Sequence, residues 1–166
     1  VRQILRFSRG GETAMGAIAI TPIIKESIKL LRSTLPTTIE IRQRIRADPD
    51  WITGDPTQIH QVVMNLCTNA YHAMRDDGGV LNISLENVTL QTAREIMSLK
   101  VPPGDYLELS ISDTGNGIAS QVLERIFEPY FTTKKVSEGT GLGLSVTLGI
   151  VKSHNGLIEV SSRVGE

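Results

Sequence analysis

Residues 55–74 decide the fold, and they read DPTQIHQVVMNLCTNAYHAM. The start, Asp55-Pro56-Thr57-Gln58, has a capping-box pattern and predicts that a helix begins here. The helix is predicted to run to about Met74. Apolar residues recur along it at helical spacing, which predicts one buried side. The residues on that side are Ile59, Val62, Val63, Leu66 and Ala70.

The same helix carries a polar stripe. Asn65, Asn69 and His72 lie at i, i+4 and i+7, so they project from one face. The carbonyl oxygen of a side-chain amide is a suitable ligand for Mg²⁺, but it is uncharged and binds the ion weakly unless phosphates share it. His72 would contact a phosphate one turn further along. A solvated face of ordinary polar residues explains the same pattern, so the stripe alone does not distinguish a metal site from an exposed helix face.

Composition limits the classes of function. The chain has 166 residues, of which 40% are apolar and 21% charged, which predicts one globular domain. The net charge is -1, whereas nucleic-acid-binding domains usually carry a basic excess. We therefore expect no nucleic-acid partner, and a polyanion must be bound by a local arrangement. Cys67 is the single cysteine and is predicted to be buried. No apolar stretch reaches membrane-spanning length, so we expect no direct membrane contact by this chain.

The remaining pattern mixes helices and strands without regular alternation. Residues 1–7 resemble the end of an amphipathic helix, and residues up to Ala19 look like a linker. Thr21 is predicted to cap a helix that has Pro22 in its first turn and ends at Leu35-Pro36. Further helices are predicted at 120–127 and 142–154. Strands are predicted at 38–45, 51–52, 80–90, 106–112 and 157–161. Residues 91–104 are predicted to be irregular, with room for one helical turn, and residues 128–140 to form a mobile loop. This pattern predicts an α+β sandwich with helices on one face of a mixed sheet.

A second specialised segment, DTGNGI, spans residues 113–118. Asp113 ends a predicted strand, and a carboxylate there is a strong acceptor for the exocyclic amine of adenine. Gly115 and Gly117 would allow the backbone to approach a flat base. An ordinary turn explains the same residues, because Asp-x-Gly is common in turns.

A third segment, GTGLGL, spans residues 139–144 and leads into a predicted helix. Glycines at a helix start expose backbone N–H groups, and the helix dipole adds positive potential, so the segment suits phosphate. The segment is not a P-loop, because Lys followed by Ser or Thr is missing. Its spacing also differs from the dinucleotide fingerprint. A flexible hinge is the competing interpretation.

Taken together, four segments in this order resemble the GHKL ATPase superfamily, and more narrowly the catalytic domain of sensor histidine kinases. Residues 61–70 are similar to the N box of that family, 113–118 to its G1 box, 127–134 to its F box, and 139–145 to its G2 box. The resemblance covers roughly Thr21 to the end of the chain.

The resemblance implies the Bergerat fold, a two-layer α/β sandwich. In this fold about three helices cover one face of a mixed sheet, and ATP lies between helices and sheet under a mobile lid. Asn69 would be the main Mg²⁺ ligand and Asn65 a supporting one, and these two are also the catalytic residues. Asp113 would bind the adenine amine, and Tyr130 would flank the adenine or ribose. The residues implied in cofactor binding are Asn65, Asn69, His72, Asp113, Gly115, Gly117, Ile118, Tyr130, Thr133, Lys134, Lys135, Gly139, Thr140, Gly141, Leu142, Gly143 and Leu144.

Residues 1–9 resemble the tail of the helical hairpin that dimerises and bears the phosphoacceptor histidine in this family. We therefore expect residues 1–19 to be a remnant of that hairpin and its linker, and residues 20–166 to be the catalytic domain with its final strand truncated. His60, His72 and His154 are the only histidines, and none is followed by the acidic residue of the phosphoacceptor motif. The implied partners are that hairpin and a response regulator receiver domain. The implied location is cytoplasmic, whether or not the parent protein is anchored in a membrane.

The chemistry depends on which group attacks ATP. In gyrase-like relatives a glutamate one turn before the Mg²⁺ asparagine activates water, and here that position is Asn65. An amide cannot act as a general base, so bound ATP should persist until an outside nucleophile arrives. A neutral imidazole is already nucleophilic, which favours γ-phosphoryl transfer to a histidine of another domain. We expect the chain alone to bind ATP without autophosphorylating. The alternatives are a GHKL-type protein serine kinase or nucleotide-gated binding module, with a base such as Glu128, and a structural domain with an inactive site.

Overall fold

The computed structural model describes residues 15–96, 99–133 and 140–165. Within these ranges the chain forms a helical layer packed on a mixed sheet, and two small two-stranded sheets flank it. In chain order the elements are β1 (Gly16–Ala19), α1 (Ile20–Thr34), β2 (Ile39–Ile45), β3 (Trp51–Gly54), α2 (Pro56–Met74), β4 (Gly79–Leu90), β5 (Arg94–Ile96), β6 (Leu99–Val101), β7 (Gly104–Asp113), α3 (Ser120–Leu123) and α4 (Gly143–Ser153).

The central sheet has the strand order β2-β4-β7. Strand β2 pairs with β4 in parallel, from Ile39 opposite Gly79 to Ile45 opposite Leu85. Strand β7 pairs with β4 in the antiparallel direction, and Asp113 lies opposite Leu81. The sheet is therefore mixed, as the sequence predicted.

The core lies between this sheet and helices α1 and α2. Leu81, Ile83 and Leu85 of β4 are buried at every second position, while the residues between them are only partly buried. Alternation of this kind points one face of the strand toward the helices. The helices contribute Ile24, Ile28 and Leu31 from α1, and Val63, Cys67, Ala70 and Met74 from α2. Cys67 is fully buried, as predicted, and burial raises the pKa of its thiol to about 12.

Most predicted elements are confirmed. Helix α2 extends from Pro56 to Met74, and Asp55 caps it by accepting hydrogen bonds from the backbone N–H groups of Thr57 and Gln58. Helix α4 ends where predicted: Asn155 has a φ of 55°, and the Gly156 N–H donates to the Val151 carbonyl at 2.8 Å. The predicted helical tail at residues 1–7 lies outside the described residues.

Four local predictions are wrong. Residues 16–19, predicted as linker, form β1 paired with β3, and residues 91–104 contain strands β5 and β6, which pair in the antiparallel direction. Helix α3 ends at Leu123, and the following backbone N–H groups of Arg125 and Glu128 form i→i−3 turns. Within the described residues 140–165, segment 157–161 is not paired as a strand. Periodicity predicts which face of a segment is apolar, but a strand also needs a backbone partner.

The cap of α1 also differs from the prediction. The helix begins at Ile20, so Thr21 lies inside its first turn and not at the cap position. The Asp50 side chain accepts the Thr21 N–H at 2.9 Å, and the Asp50 carbonyl accepts the Ile20 N–H at 3.0 Å. A carboxylate at a helix start satisfies unpaired N–H groups and complements the helix dipole. The cap therefore comes from a residue 29 positions along the chain.

His154 joins the end of α4 to the start of α2. Its Nε2 accepts the Asp55 N–H at 3.1 Å, and its Nδ1 lies 2.8 Å from the Ile150 carbonyl oxygen. Because a carbonyl oxygen can only accept, Nδ1 is the protonated nitrogen of a neutral imidazole. This bridge fixes where α4 lies relative to α2, the two helices that carry most of the candidate site.

We predict that Asp50→Ala lowers the stability of the fold in a pH-dependent way. Hydrogen bonding by the Thr21 side chain, and then by its backbone N–H, holds the pKa of the Asp50 carboxyl below its ordinary value. A lowered folded-state pKa means that the stabilisation is fully present above the unfolded-state pKa of about 3.9 and is lost as the pH falls through the folded-state pKa. Urea unfolding of both proteins between pH 7 and pH 3 measures this difference.

Asp50→Asn is the matched control, because it keeps an acceptor oxygen without the charge. Its stability should lie between those of the wild type and Asp50→Ala at pH 7. If the gap between wild type and Asp50→Ala stays constant down to pH 3, Asp50 does not cap α1 as a carboxylate.

Candidate functional site

The polar face of α2 meets the start of α4. The Asn65 Nδ2 atom donates to the Gly143 carbonyl at 3.2 Å and to Thr147 Oγ1 at 3.4 Å. A Cβ atom built on Gly143 would lie 3.9 Å from Cγ of Asn65 and 4.0 Å from Nδ2 of Asn69. The two amides predicted as metal ligands and one glycine of the GTGLGL segment are therefore neighbours, although 78 residues separate Asn65 from Gly143.

The DTGNGI segment meets the same helix further along. Oδ1 of Asp113 accepts the Gly115 N–H at 2.9 Å, which closes a tight turn after β7. A Cβ on Gly115 would lie 2.6 Å from both the Cβ and the carbonyl oxygen of Ala73, and the Asn116 N–H donates to that oxygen at 3.2 Å. The absence of a side chain at position 115 thus allows the turn to pack directly on the backbone of α2.

Residues 65, 69 and 73 are spaced by four and face the same way on α2. Because the helix rises 1.5 Å per residue, Asn69 and Ala73 are about 6 Å apart along its axis. The two glycine-rich segments therefore contact successive turns of one helix face. His72 lies in the last turn of α2, and its ring centroid is 5.4 Å from that of Tyr71.

Gly117 has a role that the sequence did not indicate. It has a φ of +71°, and a Cβ there would overlap the carbonyl oxygen of Arg163. The Ile118 N–H donates to Ser162 Oγ at 2.8 Å, so segment 162–165 packs over this turn. Glycine at 117 is thus required by contact within the protein. That Gly117 and Ile118 line a bound base stays a prediction.

A backbone contact joins the two ends of the predicted lid. The Tyr130 N–H donates to the Gly141 carbonyl at 2.9 Å, and a Cβ on Gly141 would lie 2.5 Å from the Tyr130 carbonyl carbon. Tyr130 has a φ of 65°, and its side chain is 76% exposed. Thr133 and Thr140, the described residues just before and just after 134–139, are both exposed. Lys134, Lys135 and Gly139, three residues of the predicted phosphate site, lie outside the described residues.

A small polar cluster at the base of this loop was missed in the sequence. The Arg125 guanidinium donates from Nε and Nη2 to Oε2 of Glu128, at 3.1 and 2.9 Å, and lies 4.4 Å from the centroid of the Phe131 ring. The i, i+3 spacing of Arg125 and Glu128 is a signal that could have indicated the ion pair. Glu128, the example of a base considered for a serine acceptor, is therefore paired with a cation at the surface.

A groove of about 540 Å³ runs along α4, beside Gln58 of α2 and the segment that contains Pro129 and Tyr130. Of the described site residues, Tyr130 and Leu142 line it, whereas the amide pair and Asp113 are not among its lining residues. The full lining is Gln58, Pro129, Tyr130, Leu142, Ser145, Val146, Gly149, Ile150 and Ser153.

A mixed sheet covered by helices, with two glycine-rich turns against one amide-bearing helix face, defines a two-layer α/β sandwich. The chain belongs to the histidine kinase-, DNA gyrase B- and HSP90-like ATPase family, whose model matches residues 54–166. Within the described residues no helix has the length and apolar character to cross a membrane.

Individual relatives narrow the resemblance. The chain is 37% identical over 166 residues to the sensor kinase CckA of Brucella abortus, covering all of this chain and 18% of the relative. It is 36% identical over 169 residues to the sensor histidine kinase ZraS of Escherichia coli K12, covering all of this chain and 32% of that one. The chain thus spans less than a third of the length of the curated relatives named here.

The fold agrees with solved histidine kinases. The catalytic domain of the histidine kinase ThkA superposes with a TM-score of 0.65 at 26% identity, covering 84% of this chain and 81% of that chain. ThkA in complex with the response regulator protein TrrA gives a TM-score of 0.66 at 24% identity, covering 93% of this chain and 40% of that chain. The predicted fold class and family are confirmed.

We predict that Gly115→Ala destabilises the fold by about 1–3 kcal/mol, which is the usual cost of forcing an extra methyl into packed structure. The new Cβ would meet the Ala73 backbone, which cannot move without disturbing α2. Gly149→Ala is the matched control, because a Cβ there meets nothing within 4 Å. Since Gly149 is inside α4, this control should stabilise the protein by about 0.5–1 kcal/mol. Chemical unfolding of both variants measures the effect, and equal effects would mean that Gly115 does not pack on α2.

Proposed function

We propose that the chain binds Mg-ATP and transfers its γ-phosphoryl group to a histidine on a separate helical domain, as part of two-component signalling. The proposal is supported by membership of the ATPase family and by relatives that are sensor kinases. The observation that carries it is the position of Gly143 directly against the side-chain amides of Asn65 and Asn69.

This arrangement suits a triphosphate with a metal ion. The carbonyl oxygens of the Asn69 and Asn65 side chains would hold Mg²⁺, which supplies neutralisation of the phosphate charge when bound. The missing side chain at Gly143 leaves the space beside both amides open, because a Cβ at this position would stand about one contact distance from each of them. Backbone N–H groups at the start of α4 would receive the phosphates, aided by the helix dipole.

The acceptor is proposed to be a histidine and not water or serine. Asn65 occupies the position from which a carboxylate would activate water, and its amide donates to Gly143 and cannot accept a proton. Glu128, the carboxylate considered for a serine acceptor, receives two hydrogen bonds from Arg125. A neutral imidazole needs neither group.

The proposed partners follow from this chemistry. The phosphoacceptor would lie on the dimerisation hairpin of the same protein, which residues 1–9 resemble at its end. A receiver domain of a response regulator would take the phosphoryl group next, as the complex of ThkA with TrrA suggests by its composition. Because the reaction requires the cellular ATP pool, we expect it to take place in the cytoplasm.

Adding a phosphoacceptor hairpin tests the reaction directly. We predict that a hairpin grafted onto Val1 becomes phosphorylated with acid-labile, base-stable chemistry in the presence of Mg-ATP, because phosphohistidine has this stability. The chain without the hairpin should bind a non-hydrolysable ATP analogue, as measured by calorimetry, but gain no phosphate.

Asn69→Asp tests the metal ligand. This variant should change the Mg²⁺ dependence of the binding of the ATP analogue more than the affinity without metal.

Three results would contradict the proposal. Failure of the wild-type chain to bind nucleotide would support a structural domain with an inactive site. Acid-stable phosphate on the grafted protein would support the serine alternative. Equal effects of Asn69→Asp with and without Mg²⁺ would mean that Asn69 does not hold the ion.

A second prediction concerns recognition of the adenine ring by Asp113. Asp113→Asn should weaken nucleotide binding by about 1–3 kcal/mol, because a charged acceptor for the adenine amine is lost. The variant is a clean test, since an asparagine oxygen can still accept the Gly115 N–H and keep the turn closed. Calorimetry with the ATP analogue measures the loss. Inorganic triphosphate is the control ligand, and its affinity should not change; a parallel loss for both ligands would argue against contact between Asp113 and adenine.

A further inference from the structure

Thr147 is a polar residue in α4 with no accessible surface, and neither the family motifs nor the proposed function gives it a role. A buried hydroxyl is costly unless it is hydrogen-bonded. The hydrogen bonds of the Thr147 hydroxyl therefore indicate its role. They lead to the first turn of α4 and to Asn65.

The geometry fixes the direction of each bond. Thr147 Oγ1 lies 2.9 Å from the Gly143 carbonyl oxygen, which can only accept, so the single hydroxyl hydrogen points there. The lone pairs of Oγ1 are then the groups that face Asn65, at 3.4 Å. The Gly143 carbonyl presents lone pairs to the same amide at 3.2 Å.

Two acceptors on α4 thus select one end of the Asn65 side chain. Only the NH₂ end of the amide can donate, so the nitrogen faces α4 and the carbonyl oxygen is turned away from these acceptors. Rotation of the amide by 180° would set its oxygen against the Gly143 carbonyl, which cannot donate, and against Thr147, which could donate only by giving up its own bond to that carbonyl. Without Thr147, one of the two acceptors that oppose this rotation is removed.

We propose that Thr147 is a positioning residue that holds the Asn65 amide with its nitrogen toward α4 and its oxygen toward the Mg²⁺ ligand position. The inference rests on the proposed function, in which Asn65 supports the metal. It extends that function by making the metal site dependent on a buried hydroxyl of α4. The hydroxyl bonds to both the first residue of α4 and the Asn65 amide, and so fixes the orientation of the amide relative to the start of the helix.

The purely structural alternative is that Thr147 only bonds back to its own helix. A threonine can satisfy its hydroxyl with the i−4 carbonyl and need no further partner. This alternative predicts an effect on stability alone. Positioning predicts an effect on metal-dependent binding that follows the hydroxyl and not the methyl group.

Thr147→Val removes the hydroxyl with little change in shape, and Thr147→Ser keeps the hydroxyl and removes the methyl. The probe is a non-hydrolysable ATP analogue, titrated calorimetrically with Mg²⁺ and with EDTA. Thr147→Val should weaken the affinity with Mg²⁺ by about 2- to 10-fold, the usual range for one hydrogen bond, and leave the affinity in EDTA unchanged. Thr147→Ser should bind like the wild type. Thermal unfolding of each variant checks the fold, and if Thr147→Val unfolds, Thr147→Ala and Thr147→Ser form the second matched pair.

A readout without nucleotide tests the hydrogen bond itself. In the free protein the side-chain NH₂ resonances of Asn65 should move upfield in Thr147→Val and not in Thr147→Ser. Resonances that stay in place, or a Thr147→Ser variant that loses as much Mg²⁺-dependent affinity as Thr147→Val, would overturn the inference. If the wild type shows Mg²⁺-dependent binding that Thr147→Val retains in full, the positioning role fails while the proposed function stands. If the wild type shows none, the proposed function fails first.

Discussion

The site depends on the hydrogen bond from the Asn65 amide to the Gly143 carbonyl. It joins the middle of α2 to the first residue of α4, and it requires a donor at position 65. A carboxylate there would direct lone pairs at a carbonyl oxygen and lose the bond. The residue that makes this contact therefore cannot also be a general base, so the packing of the two helices and the proposed choice of an outside nucleophile follow from the same amide.

Helix α2 can present these amides because its other side is fixed in the core. Val63, Cys67, Ala70 and Met74 are buried, and they alternate along the helix with Asn65, Asn69 and Ala73 on the site face. Burial of the Cys67 thiol among these side chains is also what raises its pKa. Since buried side chains resist displacement, the core holds the spacing at which the two glycine-rich segments meet α2.

The features that the sequence predicted well depend on the pattern of residues close together along the chain. The bounds of α2, the position of β4 and the cap at Asp55 follow from neighbouring residues. What it missed depends on distant contacts: the Asp50 cap of α1, the pairing of β1 with β3, and the bridge from His154 to Asp55. The identity of a residue states what it can bond to, but not which partner the fold will bring to it.

The glycines illustrate this difference most clearly. Gly115, Gly117 and Gly141 belong to the motifs that suggested a nucleotide site, yet at each of them a Cβ would collide with protein backbone. These three are required for the chain to pack on itself, whatever else they contact. At Gly143 a Cβ would reach only ordinary contact distance, and its neighbours would be the two asparagine side chains. Glycine is therefore not required there by the packing of the protein, and an open position beside the two amides is what the proposed binding of a ligand at this point needs.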